Sequence, residues 1–92
     1  MSSMEKYQAK ETVISTAMDD DTSVLLDIES RQYFSLNATG TLIWSELIAG
    51  KTKPEIVNLL SERFEIGSID ALSQVDSFLS RLTEAGLVCL IS

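Results

Sequence analysis

Histidine is absent from this chain, and cysteine and proline each occur once. Without histidine the chain lacks the commonest general base and a common metal ligand, and Cys89 has no imidazole to activate it as a nucleophile. A single cysteine also cannot build an internal disulfide framework, which is typical of a reducing compartment. We therefore expect a non-catalytic protein with no cofactor and no metal, in which Cys89 is a small buried hydrophobe.

Long apolar runs are missing as well. No segment approaches the roughly 20 apolar residues of a membrane-spanning helix, and the N-terminus MSSMEKYQAKE lacks the apolar stretch of a signal peptide. Both absences favour a cytoplasmic protein that does not bind membranes.

Basic residues are scarce: seven Lys and Arg stand against fourteen Asp and Glu, for a net charge of −7. Such a chain repels nucleic-acid phosphates and anionic membranes, and it attracts basic peptides at long range. The three adjacent carboxylates at 19–21 lack the alternating ligands and the glycine of a calcium loop, so we interpret them as a solvated turn.

Apolar residues make up 45% of the 92 residues, which is enough for the core of one small domain. Residues 1–11 are polar and show no period, so they are predicted to be a mobile N-terminal lead-in. The domain is then expected to span residues 12–92.

The stretch SVLLDIESRQYFSLNATGTLIW, residues 23–44, predicts two strands followed by a helix. Its alternating apolar residues, which indicate strands with one buried face, are Val24, Leu26, Ile28, Phe34 and Leu36. A three-residue loop at 29–31 would place all of them on one face, by pairing Ile28 with Gln32, Leu26 with Phe34 and Val24 with Leu36. This register puts Arg31 in the left-handed region, at a cost of roughly 1–2 kcal/mol.

Another strand is predicted at 12–17, TVISTA, which is rich in β-branched residues. The three strands would form an antiparallel meander with Gln32–Leu36 at an edge. The apolar tail at 87–91 is expected either to add a last strand or simply to pack.

Capping residues predict three helices after the strands. Asn37 is a good N-cap for a helix over 38–49 that Gly50 ends, and Trp44 is its expected core anchor. Thr52-Lys53-Pro54-Glu55 has the form of a capping box and opens a second helix, which ends near Gly67. Ser68 would cap a third helix that ends at Gly86, with a contact between Leu87 and Leu82.

The predicted order is β-β-β-α-α-α, an α+β fold that is winged helix-turn-helix-like, with a three-stranded antiparallel sheet followed by three helices. This outline is compatible with DNA binding. However, the polar residues of the second and third helices are interrupted by acidic ones, so a winged-helix DNA-binding regulator is the less favoured alternative.

Several motifs resemble the PqqD family of RiPP recognition elements, which bind the leader peptides of ribosomally made peptide precursors. The similarity runs from about residue 12 to residue 90. It depends most on Leu25-Leu26-Asp27, on YFSLNATG at 33–40, on Trp44, and on the segment VDSFLSRLTEAGLV, which starts at residue 75 within the third helix.

The chain also departs from the family. Arg31 stands where the family often has Gly, and the chain lacks the "PEG"-like hairpin of members dedicated to pyrroloquinoline quinone. As a free-standing unit it resembles the stand-alone B1 proteins of lasso peptide systems, which hand the precursor to a leader peptidase and a cyclase. The alternative is a PqqD-like chaperone for a radical SAM peptide-modifying enzyme.

The resemblance implies that a leader peptide docks beside the third strand and against the third helix. The candidate peptide-binding residues are Gln32, Tyr33, Phe34, Ser35 and Leu36 on the strand, and Leu72, Val75, Asp76 and Leu79 on the helix. Asp76 could hold a Lys or Arg of the leader. An edge strand has free backbone groups for strand addition, and the same property would allow either a monomer or a swapped dimer.

Overall fold

The computed structural model describes residues 7–19 and 21–90, except for the side chain of Leu90. Within these residues the strands are β1 (Tyr7–Ala9), β2 (Val13–Ala17), β3 (Ser23–Asp27), β4 (Gln32–Leu36) and β5 (Val88–Leu90). The helices are α1 (Ala38–Ile48), α2 (Lys53–Phe64) and α3 (Ser68–Glu84), and they lie between β4 and β5 in the chain.

The central strands form an antiparallel sheet in the order β2-β3-β4. This sheet is followed by three helices, as predicted, and β4 lies at its edge. The fold class expected from the sequence is therefore confirmed.

A second, two-stranded sheet joins the two ends of the described chain. β1 pairs with β5 in antiparallel fashion, with Tyr7 opposite Leu90. Residues 1–11 are predicted from the sequence to be a mobile lead-in, but Tyr7–Ala9 within that segment is a strand. Residues 1–6 lie outside the described residues, and the domain boundary at residue 12 stays a prediction.

The register of the β3–β4 hairpin differs by one residue from the prediction. Leu25 lies opposite Phe34, and Asp27 lies opposite Gln32, so the loop has four residues, 28–31. The predicted pairs Ile28–Gln32, Leu26–Phe34 and Val24–Leu36 are wrong. Leu25 is fully buried, whereas Leu26 is 38% exposed and Ile28 is 54% exposed.

A buried carboxylate explains the observed register. Asp27 is only 2% exposed. Its carboxylate accepts hydrogen bonds from Thr12 Oγ1 at 2.6 Å, Ser30 Oγ at 2.9 Å and the Glu29 backbone N–H at 3.1 Å. Lys10 Nζ lies 3.4 Å from the same carboxylate. These polar partners allow Asp27 to lie on the inner face of the sheet. They are not visible in the pattern of apolar residues from which the register was predicted.

The backbone of Asp27 also holds the hairpin loop. The Arg31 N–H donates to the Asp27 carbonyl oxygen at 2.7 Å. Arg31 has a φ of 64°, so its predicted left-handed conformation is confirmed, although it is the last residue of a four-residue loop.

Two of the three helices start at the predicted caps. Asn37 Oδ1 accepts the Gly40 N–H at 2.9 Å at the start of α1. The Glu55 carboxylate accepts the Thr52 N–H at 2.8 Å, as expected for a capping box at the start of α2. The N-cap of α3 is Gly67 rather than the predicted Ser68, because Gly67 has the extended backbone and Ser68 is already helical.

The helix ends are set by left-handed residues. α2 ends at Phe64, earlier than predicted, because Glu65 adopts a φ of 54°. Gly86 has a φ of 80°, and the Leu87 N–H donates to the Leu82 carbonyl oxygen at 2.9 Å. This 6→1 hydrogen bond, together with burial of both leucines, confirms the predicted stop of α3.

The core lies between the inner face of the sheet and the three helices. Trp44 is buried there, which confirms its predicted role as a core residue. Leu72 is 42% exposed, because Ala71 takes the buried position of that turn. The prediction that Cys89 is buried is also wrong: strand alternation places Val88 inside and Cys89 outside.

The Asp27 network predicts a dependence of stability on pH. Its hydrogen bonds, above all the one from Thr12, outweigh the opposing effect of burial and lower the pKa of Asp27 from 3.8 to about 2. A depressed carboxyl pKa stabilises the fold at pH values above 3.8, and this contribution is lost as the pH falls toward about 2. Urea unfolding should therefore show a steeper loss of stability in this pH range for the wild type than for Asp27→Asn.

The matched control is Glu62→Gln, which removes an exposed carboxylate from α2. Its pH dependence should follow that of the wild type. Parallel curves for the wild type and Asp27→Asn would contradict the proposed contribution of this network.

Candidate functional site

The outer edge of β4, which no other described strand covers, carries backbone groups that point away from the sheet. The Ile28 N–H donates to the Thr12 carbonyl oxygen at 3.1 Å, so even-numbered residues of β3 bond to the β2 side. Because bonding alternates along an antiparallel ladder, the odd-numbered residues of β3 bond to β4. Tyr33 and Ser35 lie opposite even-numbered residues of β3, and their N–H and C=O groups therefore face the open edge.

A groove of about 620 Å³ lies between β4 and the C-terminal half of α3. The residues that line it are Arg31, Gln32, Tyr33 and Phe34 on one side, and Arg81, Glu84 and Ala85 on the other. Phe34 and Ala85 are half-buried and give the groove an apolar floor, and Tyr33, which is 71% exposed, stands at its rim.

A second hollow of about 550 Å³ continues along the other end of β4. It is lined by Ser35 and Leu36 from β4 and by Phe78 and Arg81 from α3. Since Arg81 lines both spaces, the two hollows follow the whole length of the edge strand along one face of α3.

All five predicted strand residues border these hollows. The first hollow includes Gln32, Tyr33 and Phe34, and the second includes Ser35 and Leu36. The structure therefore brings this half of the predicted site together, and its contact with a peptide stays a prediction.

The four predicted helix residues lie elsewhere on α3. Val75 and Leu79 are buried in the core, and Leu72 is exposed but lines neither hollow. Asp76 lies on the side of α3 that meets α2, where its carboxylate is 2.5 Å from Lys53 Nζ. None of these residues faces β4 across the hollows.

A different face of α3 forms the wall of the site. Phe78, Arg81 and Ala85 follow one another at spacings of three and four, which places them on one side of the helix. Arg81 and Ala85 are not among the residues predicted from the sequence, because the predicted apolar residues belong to the most apolar stripe of the helix. Their spacing from Phe78 was the available signal.

The described part of the acidic turn is held by hydrogen bonds within the turn. Asp19 Oδ1 accepts a hydrogen bond from Thr22 Oγ1 at 2.9 Å, and Asp19 and Asp21 are exposed, as expected of a solvated turn. Asp20 lies outside the described residues. In the part of the chain that the structure describes, no three His, Cys, Asp or Glu residues are grouped to hold a metal ion.

Comparison with known families identifies the class of this protein. The family model described as coenzyme PQQ synthesis protein D (PqqD) matches residues 22–88, which include β3, β4 and all three helices. The chain belongs to the PqqD family. RiPP recognition elements of this type are in general binding proteins, and no helix among the described residues is long and apolar enough to span a bilayer.

Two solved structures are similar to the chain over most of its length. One is TbiB1 in complex with the TbiA(beta) leader peptide: it is 32% identical, with a TM-score of 0.80, over 88% of this chain and 93% of that one. The other is a lasso peptide synthetase B1 complexed with the leader peptide: it is 26% identical, with a TM-score of 0.81, over 91% and 98%. The comparison with curated proteins gives no match.

The assignment of the two faces of α3 can be tested with a pair of leucines. Leu79→Ala should lower the free energy of unfolding by about 2–5 kcal/mol, because it leaves a cavity in the core. Leu72→Ala should cost less than about 1 kcal/mol, because this side chain is partly solvated. Denaturant unfolding measures both values, and equal losses would show that Leu72 belongs to the core.

Proposed function

We propose that this protein is a non-catalytic adaptor that binds the leader peptide of a ribosomally made precursor. The leader adds a strand to β4 and lies in the groove beside α3, and the adaptor presents it to maturation enzymes. The observation that carries this proposal is the open backbone edge at Tyr33 and Ser35, which borders a groove with an apolar floor.

Strand addition explains how the site can gain affinity from any extended peptide. The outward N–H and C=O groups of Tyr33 and Ser35 offer up to four backbone hydrogen bonds, which depend little on the sequence of the added strand. In the described structure these groups face no neighbouring strand, because β4 ends its sheet.

The groove explains how the site can select its peptide. A volume of about 620 Å³ lies within the range of small-ligand pockets and is enough for a few side chains. Phe34 and Ala85 provide the apolar surface, and the adjoining hollow adds Leu36 and Phe78. Every second side chain of an added strand would point toward these residues.

The comparisons support a role in lasso peptide maturation. Both similar structures are complexes with leader peptides, and they match nearly the whole chain. In this proposal, the adaptor hands the bound precursor to a leader peptidase and a cyclase. The absence of histidine is in keeping with a protein that binds and delivers the substrate while other proteins perform the chemistry.

Leader binding can be measured by titrating a fluorescently labelled leader peptide from a precursor encoded beside this protein. We expect saturable binding with a Kd below about 10 μM. Phe34→Ala should weaken binding by about tenfold, because it removes the groove's largest apolar side chain, whereas Glu62→Ala on α2 should have no effect. The absence of saturable binding below that concentration would contradict the proposed function.

Proline substitution tests strand addition itself. Ser35→Pro removes one N–H that faces the open edge, while the bonds of β4 to β3 remain intact, so peptide affinity should fall by about tenfold. Ser15→Pro is the matched control, because Ser15 has the same outward orientation on β2, the opposite edge of the sheet. Wild-type affinity in a folded Ser35→Pro variant would exclude strand addition at β4.

A further inference from the structure

Within the part of the chain that the structure describes, the lysine and arginine side chains divide into those with and those without a carboxylate partner. Lys10, Lys51 and Lys53 each lie within 4.0 Å of a carboxylate. The arginines Arg31, Arg63 and Arg81 form no ion pair within that distance among the described residues. Three arginines without a carboxylate partner among the described residues are unexpected in a chain with a net charge of −7.

Two of these three arginines line the same groove. Arg31 reaches it from the β3–β4 loop, and Arg81 reaches it from α3. The third, Arg63, is in the last turn of α2, outside both hollows along β4. The groove therefore carries positive charge on a protein that is otherwise acidic, although Glu84 offsets part of it.

We propose that the leader peptide carries an acidic side chain in the segment that lies in this groove, and that Arg81 and Arg31 bind its carboxylate. This inference rests on the proposed function and specifies the chemistry of its ligand. It reverses the charge expected from the sequence, where Asp76 was assigned to hold a basic residue of the leader. Asp76 is already paired with Lys53 on another side of α3.

The geometry indicates that Arg81 contributes more than Arg31 to binding the carboxylate. A planar guanidinium can donate two parallel hydrogen bonds to a carboxylate, and such bonds strengthen when a docked peptide excludes water from the groove. Arg81 stands on a rigid helix beside both hollows, whereas Arg31 belongs to an exposed loop. A peptide without a carboxylate would cover both cations without compensation, which disfavours it.

The test uses the leader titration with four protein variants. Arg81→Gln should weaken binding by about tenfold, and Arg31→Gln should weaken it by about threefold. Arg63→Gln is the matched control, because it removes an arginine that lies outside both hollows, and its affinity should equal that of the wild type. Glu84→Gln should strengthen binding, because Glu84 opposes a peptide carboxylate.

A double-mutant cycle connects Arg81 to an acidic residue of the peptide. Each Asp or Glu of the leader is changed in turn to Asn or Gln and titrated against the wild type and Arg81→Gln. One such change should weaken binding to the wild type by about tenfold and have little effect on Arg81→Gln. Urea unfolding of each variant verifies that it is folded.

The outcomes separate this inference from the function on which it rests. If the wild-type protein binds the leader and Ser35→Pro weakens binding, but the Arg31 and Arg81 variants behave like Arg63→Gln, then only the charge pairing is wrong. A bound leader with no acidic residue that couples to Arg81 leads to the same conclusion. If the wild-type protein does not bind the leader at all, both proposals are wrong.

Discussion

The buried carboxylate of Asp27 is the constraint on which the open edge of the sheet depends. It joins the segment before β2, through Thr12 and Lys10, to the turn before β4, through Ser30. A buried charge is tolerated only when it keeps such partners, so a one-residue slip of the hairpin would be costly. This register also fixes which backbone groups of β4 turn outward. The stability of one polar cluster and the geometry of a candidate binding edge are thus set by the same contacts.

The helices could be predicted because their ends depend on residues close in the sequence. The sheet was harder to predict because its register depends on contacts between residues far apart in the sequence. Helix caps act within three or four residues, which is why Asn37, Glu55 and Gly86 could be assigned from the sequence. The predicted register of the hairpin was wrong because β3 has large apolar residues on both faces. The alternation of apolar and polar residues therefore did not show which face is buried. The choice came from Thr12, which is fifteen residues from Asp27 and could not be paired with it by spacing alone.

The strand side of the candidate groove is lined by the residues that the sequence predicts, whereas its helix side is lined by other residues of α3. An edge position follows from strand order, so Gln32–Leu36 could be assigned before the structure was known. A helix face is harder to assign, because the most regular apolar stripe belongs to the core, as Val75 and Leu79 show. A groove wall instead mixes small, apolar and charged residues, and it includes Arg81 and Ala85. Such a mixture has no regular spacing of apolar residues by which it could be recognised in the sequence.

Arg31 shows how one position can be subject to two opposing demands. Its backbone occupies a left-handed conformation that glycine adopts without a steric penalty. Its side chain, however, lines the groove and contributes half of the unpaired positive charge there. Selection for a more stable hairpin would favour glycine, and selection for the proposed ligand would retain arginine. The strained residue in this loop is then a trade-off in which some folding stability is given up for molecular recognition.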